Sequence, residues 1–237
     1  MCHPVHVGVT NLLDRPVYLY SEVDRLVGLP TGTARRWING YERAGQPYPP
    51  ILREQAQGTD WATWGEFVET RILAEYRSQN IPTARLRGAV QALRAYFRVD
   101  YPLAHLQPYL DAADRELVIP AKHLGLSDDD ELMVIRTGQL LLSQPSRTVI
   151  ERALIAEDAG AKIVTELPVD ADFPAIVVNP DRLSGQPTIA GRRVSVATVA
   201  GQVAAGEDRA DLAADYNLSL AQIDQAVRYA KKYRVAA

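Results

Sequence analysis

Two short amphipathic helices closed around a glycine turn constrain this chain more than any other feature. They lie in YLYSEVDRLVGLPTGTARRWINGY, residues 18–41. Ser21 and Asp24 form S-x-x-D, a relative of the capping box, and Val23, Leu26 and Val27 repeat at i, i+3 and i+4. Gly28 ends this helix. Thr31 is the expected cap of a second helix over about 32–41, with Ala34, Trp37, Ile38 and Tyr41 on its inward face. Thr33, Arg35, Arg36 and Asn39 are then expected outward, followed by Arg43. A helix-turn-helix places its second helix in the major groove with that face free. Thr and Arg suit phosphate, Arg suits guanine and Asn suits adenine. The same spacing equally describes an ordinary amphipathic hairpin with a solvated arginine face.

The rest of the first hundred residues continues the helical pattern. Residues 1–17 read as a tail or short edge strand, and QPYPP at 46–50 forces a loop. Thr63 caps a helix near 64–78, Pro82 opens one over 83–97, and Pro102 starts a short third. The middle changes character: apolar runs at 116–119, 132–135 and 139–142 read as strands of a small antiparallel sheet, whereas 148–156 is more helix-like. Residues 166–175, LPVDADFPA with its preceding Glu166, read as a linker. The expected organisation is a tail at 1–17, a helix-turn-helix domain at 18–110, a strand-containing region at 111–165, the linker, and a C-terminal domain at 176–237. The fold class is α+β, mainly α.

The C-terminal unit has its own grammar. Ile176-Val177-Val178 is a strand, and Gly185, Pro187, Gly191 and Arg192-Arg193-Val194 punctuate a hairpin. Three helices follow, the last introduced by the capping box Ser219-Leu220-Ala221-Gln222 and buried through Ile223, Ala226, Val227 and Ala230. Arg192, Arg193, Arg228, Lys231 and Lys232 are candidate contacts to nucleic acid or to a protein partner. Solvated charges at a hairpin and at a helix C-terminus account for them as well.

Charge is distributed unevenly. The net charge is -3, but residues 101–180 carry 13 acidic against 6 basic side chains, while both flanks are slightly basic. The first hundred residues contain no Lys, so every base there is Arg, the residue suited to bidentate contacts with phosphate and guanine. A high genomic GC content enriches Arg over Lys in the same way.

Catalytic constellations are missing. His105 and His123 have no Ser, Cys or carboxylate at a triad or metal spacing. Cys2, His3 and His6 offer no fourth ligand. The run Asp128-Asp129-Asp130-Glu131 lacks the glycine and final glutamate of a calcium loop and reads as a solvated turn. No phosphate-binding glycine loop occurs. No enzyme activity, metal or cofactor is expected. A lone cysteine and no apolar run near the roughly 18 residues that span a bilayer point to a soluble, cytoplasmic protein.

Two resemblances sharpen these expectations. Tyr20, Ser21, Leu26, Gly28, Leu29, Thr33, Arg35, Arg36 and Trp37 resemble the first helix-turn-helix of MerR-type winged-helix regulators, although the wing falls to the Pro-rich stretch before Ile51-Leu52 and no long coiled coil follows. The pattern strand, Asn179-Pro180, Gly185-x-Pro187-x-Ile189-x-Gly191-x-Arg193-Val194 and three helices resembles the domain-of-unknown-function family numbered 433. Together they resemble the longer VapB-type antitoxins. That resemblance implies a repressor that binds operator DNA and a PIN-domain ribonuclease toxin. A homodimer is expected because one such helix reads too few base pairs, with the strands between Glu116 and Leu142 as the candidate dimer interface. A stand-alone transcription regulator sensing a ligand through the middle region is the alternative, and an adaptor that no longer meets DNA is a third.

Overall fold

The computed structural model describes residues 11–78, 82–105, 152–158 and 161–235. The expected strands at 116–142, the acidic run 128–131, His123 and the Cys2–His6 group lie outside the described residues. Mixed helices and small antiparallel sheets give an α+β fold.

The N-terminal part begins with β1 (Pro16–Leu19), which pairs antiparallel with β4 (Trp61–Thr63). Between them run α1 (Tyr20–Val27), α2 (Thr33–Asn39) and a hairpin of β2 (Tyr41–Arg43) and β3 (Gln46–Tyr48). The two-residue loop Ala44-Gly45 has φ of 51° and 74°, the pattern of a type I′ turn that matches strand twist. The Pro-rich stretch is therefore half of a hairpin rather than a loop. Pro47 is tolerated there because the two-stranded ribbon has free edges.

Two long helices complete this part, α3 (Trp64–Ser78) and α4 (Thr83–Phe97). Thr63 caps α3 as expected: its Oγ1 accepts from the Glu66 amide at 3.2 Å, and Glu66 Oε2 accepts from the Thr63 amide at 2.8 Å. The first ten residues of α3 are buried on all sides, Trp64, Phe67, Val68, Ile72 and Leu73 together with the polar Glu66, Glu69, Thr70 and Arg71.

The C-terminal part is a four-stranded antiparallel meander followed by three helices. Its strands are β5 (Leu154–Asp158), β6 (Ala161–Pro168), β7 (Ile176–Val178) and β8 (Thr188–Ile189) in that spatial order. The helices are α5 (Val196–Ala204), α6 (Arg209–Asp215) and α7 (Leu220–Tyr233). Ser195, Asp208 and Ser219 each accept backbone amides at the helix starts. The Ser219–Gln222 capping box is present as the sequence predicts.

Two local expectations change. Residues 154–156 are strand rather than helix, because Ile155, Ala156 and Glu157 pair with Val164, Ile163 and Lys162 across the β5–β6 hairpin. Residues 166–175 are packed rather than free. β6 runs through Pro168, Val169 and Phe173 are buried, and Phe173 meets the Tyr229 ring edge-on at 5.5 Å.

Both parts share one core. The Trp64 indole donates to the Val164 carbonyl at 2.7 Å, and the Tyr18 hydroxyl donates to the Gly185 carbonyl at 2.5 Å. Gly185 has φ of 78°, and a Cβ there would lie 2.7 Å from the Tyr18 hydroxyl oxygen and 2.8 Å from Val17 Cγ1. Glycine at that motif position is thus required by the N-terminal strand pressed against it.

Candidate nucleic-acid interface

The turn between α1 and α2 is organised by one carboxylate. Asp24 Oδ2 accepts from the Gly32 amide at 2.6 Å and Oδ1 from the Ala34 amide at 2.7 Å. Asp24 therefore caps α2 from the preceding helix, the role that the sequence assigns to Thr31, which is exposed. Burial pushes the Asp24 carboxyl above its ordinary range, against the pull of the Ala34 and Gly32 amides. Gly28, at φ of 73°, lets the chain leave α1 without a side-chain clash.

The first turn of α2 is held against α1, so Thr33 is buried rather than outward. Its Oγ1 accepts from Arg36 Nη2 at 2.9 Å, which aims the Arg36 guanidinium. Arg35 and Arg36 are exposed. Arg43 is exposed at the end of β2, next to the hairpin turn, and Tyr41 and Tyr48 stack at its base with centroids 4.6 Å apart. Tyr41 thus belongs to the hairpin and not to the buried face of α2, which ends at Asn39 because Gly40 breaks the helix at φ of 72°.

Asn39 is a brace. Its Oδ1 accepts from the Gln57 amide at 2.5 Å and from Arg53 Nη1 at 3.2 Å, and its Nδ2 donates to the Gln57 carbonyl at 2.6 Å. Arg53 in turn pairs with Glu66 on α3. The Trp37 carbonyl accepts from the amides of Ile51 and Leu52 at 2.8 and 3.1 Å, tying the chain returning from the hairpin to α2. The result is a short helix with two exposed arginines, a protruding hairpin beside it, and a rigid frame behind both. Sequence reasoning placed Asp24 in a capping motif at the start of α1, where Leu19 with Glu22 forms the cap instead, and missed Arg53 and Glu66. Only the T-x-x-E spacing of Thr63 and Glu66 signalled either of these two.

The C-terminal cations divide. Lys232 Nζ pairs with Asp170 at 2.7 Å and Asp172 at 3.3 Å, and lies 5.2 Å from the Phe173 ring centroid. Those contacts commit Lys232 to its own domain. Arg192 Nε donates to the Asn217 carbonyl at 2.9 Å, bracing the α6–α7 turn. Arg228 sits over Phe173 at 5.8 Å. Arg193 and Lys231 are exposed. Of these side chains Lys232 alone lines a groove together with Arg36, beside Val169, Asp170, Tyr233 and Arg234; Arg35 does not line it.

Among the described residues no group of three or more His, Cys, Asp or Glu is placed to hold a metal, and no helix is long and apolar enough to cross a membrane. Burial lowers the His105 imidazole below its usual value, against the pull of Asp100. Glu69 is buried on α3 and pushed up to about 8, chiefly by burial. It serves the core: Oε1 accepts from the Leu103 amide at 2.9 Å.

Comparison with known proteins matches this architecture at three levels. The family described as "Protein of unknown function (DUF433)" matches residues 176–230, the β7–α7 unit. The crystal structure of Rv2018 from Mycobacterium tuberculosis shares the fold, with a TM-score of 0.64 at 21% identity over 91% of this chain and 99% of that one. A Mycobacterium tuberculosis protein named "Putative antitoxin VapB45" is 27% identical over 90% of this chain and 93% of its own length. The uncharacterized protein Rv2308 of the same organism is 53% identical over 97% of this chain and 96% of its own length. The chain carries a DUF433 domain at its C-terminus and belongs to one family with the Mycobacterium tuberculosis protein Rv2308.

Proposed function

We propose that this chain is the antitoxin of a type II toxin–antitoxin pair. In this reading it represses its own operon by binding operator DNA and neutralises a PIN-domain ribonuclease toxin by direct binding. The observation that carries the DNA half is the exposed Arg35–Arg36 face of α2 beside the exposed hairpin bearing Arg43. Arg35 and Arg36 reach bases or phosphates in the major groove, and Arg43 reaches the backbone. Thr33 and Asn39 hold that face in place rather than reading bases, since their polar atoms are already engaged. One such helix reads few base pairs, so a homodimer on two half-sites one turn apart supplies the specificity.

The toxin half rests on the VapB45 relative, similar along nearly the whole chain. The test is co-expression with the product of the adjacent gene. A stable complex and relief of growth arrest support the assignment; failure of both overturns it. A second reading, a regulator that senses a small ligand, is favoured by a cationic groove that reaches the helix-turn-helix.

A further inference from the structure

A groove of about 1160 Å³ lies between the α1–α2 turn, helices α3 and α4, and the C-terminal end of α7. Seven cationic side chains line it and three acidic ones, in a chain whose net charge is -3. Basic composition therefore does not explain it; the fold collects the charge there. All three carboxylates are committed. Asp24 caps α2, Glu75 pairs with Arg71 and Asp170 pairs with Lys232.

Arg25, Arg87 and Arg234 have no carboxylate partner among the described residues. Arg25 and Arg234 are exposed on its walls. Among the described residues Arg87 donates to the neutral carbonyls of Pro49 and Pro50. Arg71 is 3% exposed, and its Nε has no hydrogen-bond partner. The Arg71 guanidinium is already paired with Glu75, so what the groove wall offers a ligand is this one unmatched donor beside several exposed cations.

The groove also has an aromatic lining. Trp37, Tyr41 and Tyr48 line it, with the two tyrosine rings parallel within 3°. Such faces stack flat heterocycles. The volume slightly exceeds the roughly 1,000 Å³ to which small-ligand sites run. Arg35, Asn39 and Arg43 do not line the groove, so it is separate from most of the DNA face.

We propose that this groove binds a nucleoside polyphosphate, its phosphates among the arginines and its base against the wing tyrosines. Arg presents paired donors that fit phosphate oxygens, and the ring wall distinguishes a nucleotide from a bare anion. The bound ligand touches Gly28 and Tyr233, the point where the helix-turn-helix meets the C-terminal helix.

The test is calorimetric titration of the full chain with ATP, tripolyphosphate, citrate and a hexaglutamate peptide at fixed salt, with Trp37 emission as a second readout. ATP is expected to bind saturably and more tightly than the other three. Arg25→Ser with Arg234→Ser, both exposed, is expected to weaken ATP by about tenfold per arginine. Arg35→Ala with Arg43→Ala is expected to leave ATP binding unchanged, which separates this site from the DNA face. Absence of saturable ATP binding, indifference to Arg25 and Arg234, or tripolyphosphate, citrate or hexaglutamate binding as tightly as ATP each overturns the proposal.

Discussion

The Arg53 guanidinium meets the Glu66 carboxylate through two hydrogen bonds, Nε to Oε1 at 2.5 Å and Nη2 to Oε2 at 3.0 Å, and both side chains are 4% exposed. From that pair Arg53 reaches forward to Asn39 at the end of α2, and Glu66 reaches back to the Thr63 amide at the start of α3. One buried ion pair thereby fixes α2 to the start of α3. Removing one partner strands a buried charge, a loss of about 3–5 kcal/mol. Arg53→Met is expected to lower stability by that order in a urea melt. Exposed Arg35→Ala, measured alongside, is expected to change stability by no more than about 0.5 kcal/mol.

The contact of Tyr18 with Gly185 joins the two parts of the chain. Gly185→Ala adds a Cβ into the Tyr18 hydroxyl at a positive φ, so it is expected to cost about 1–3 kcal/mol. Tyr18→Phe, which removes only the hydrogen bond, is expected to cost about 1 kcal/mol. Thermal melts of the two variants and the double variant check this; Tyr18→Phe in the Gly185→Ala background is expected to cost less than it does alone, because the two changes share one contact.

Glu69 predicts a pH dependence. Its folded-state value of about 8 lies above its ordinary 4.5, because burial outweighs the Leu103 amide and Arg94. The folded state then binds the proton more tightly than the unfolded chain. The contribution is complete below the ordinary value and is lost as pH rises toward about 8. His105 works in the opposite sense just below 6.5, since its folded value is lowered. The measurement is therefore a difference. Glu69→Gln is expected to flatten the fall in stability between pH 5.5 and pH 8 and to leave the His105 contribution in place. An unchanged slope contradicts the assignment.

Much of this was legible in the sequence, and for identifiable reasons. Local signals carried well: Thr63 as a cap, Ser219 with Gln222, and the glycine after α1 all did what their spacing implies. The hairpin at 41–48 was hidden because Pro47, Pro49 and Pro50 read as a loop, whereas a two-stranded ribbon asks little of their missing amides. Asp24 was misread because a cap was sought beside its own helix start, and here it comes from eight and ten residues upstream of the amides it accepts. Thr33 and Asn39 looked like readers of DNA by type and face. Their partners Arg36, Arg53 and Gln57 make them supports, and no periodicity in the sequence places Arg53 beside Asn39.

Asp24 itself gives a further test. Asp24→Ala leaves the Gly32 and Ala34 amides without their acceptor and is expected to cost about 1–2 kcal/mol. It is also expected to weaken DNA binding more than its loss of stability explains, because α2 loses the side chain that sets its first turn. Gel shifts at a temperature where the variant remains folded measure that excess.

The proposed DNA surface is α2 with the hairpin beside it. The most direct measurement is binding of the full chain to its own upstream DNA across a range of salt, for the wild type and for Arg35→Ala with Arg43→Ala. The expected result is weaker binding and a log–log salt slope shallower by about 2, since each phosphate contact contributes about 0.9. Unchanged affinity and an unchanged slope would contradict it.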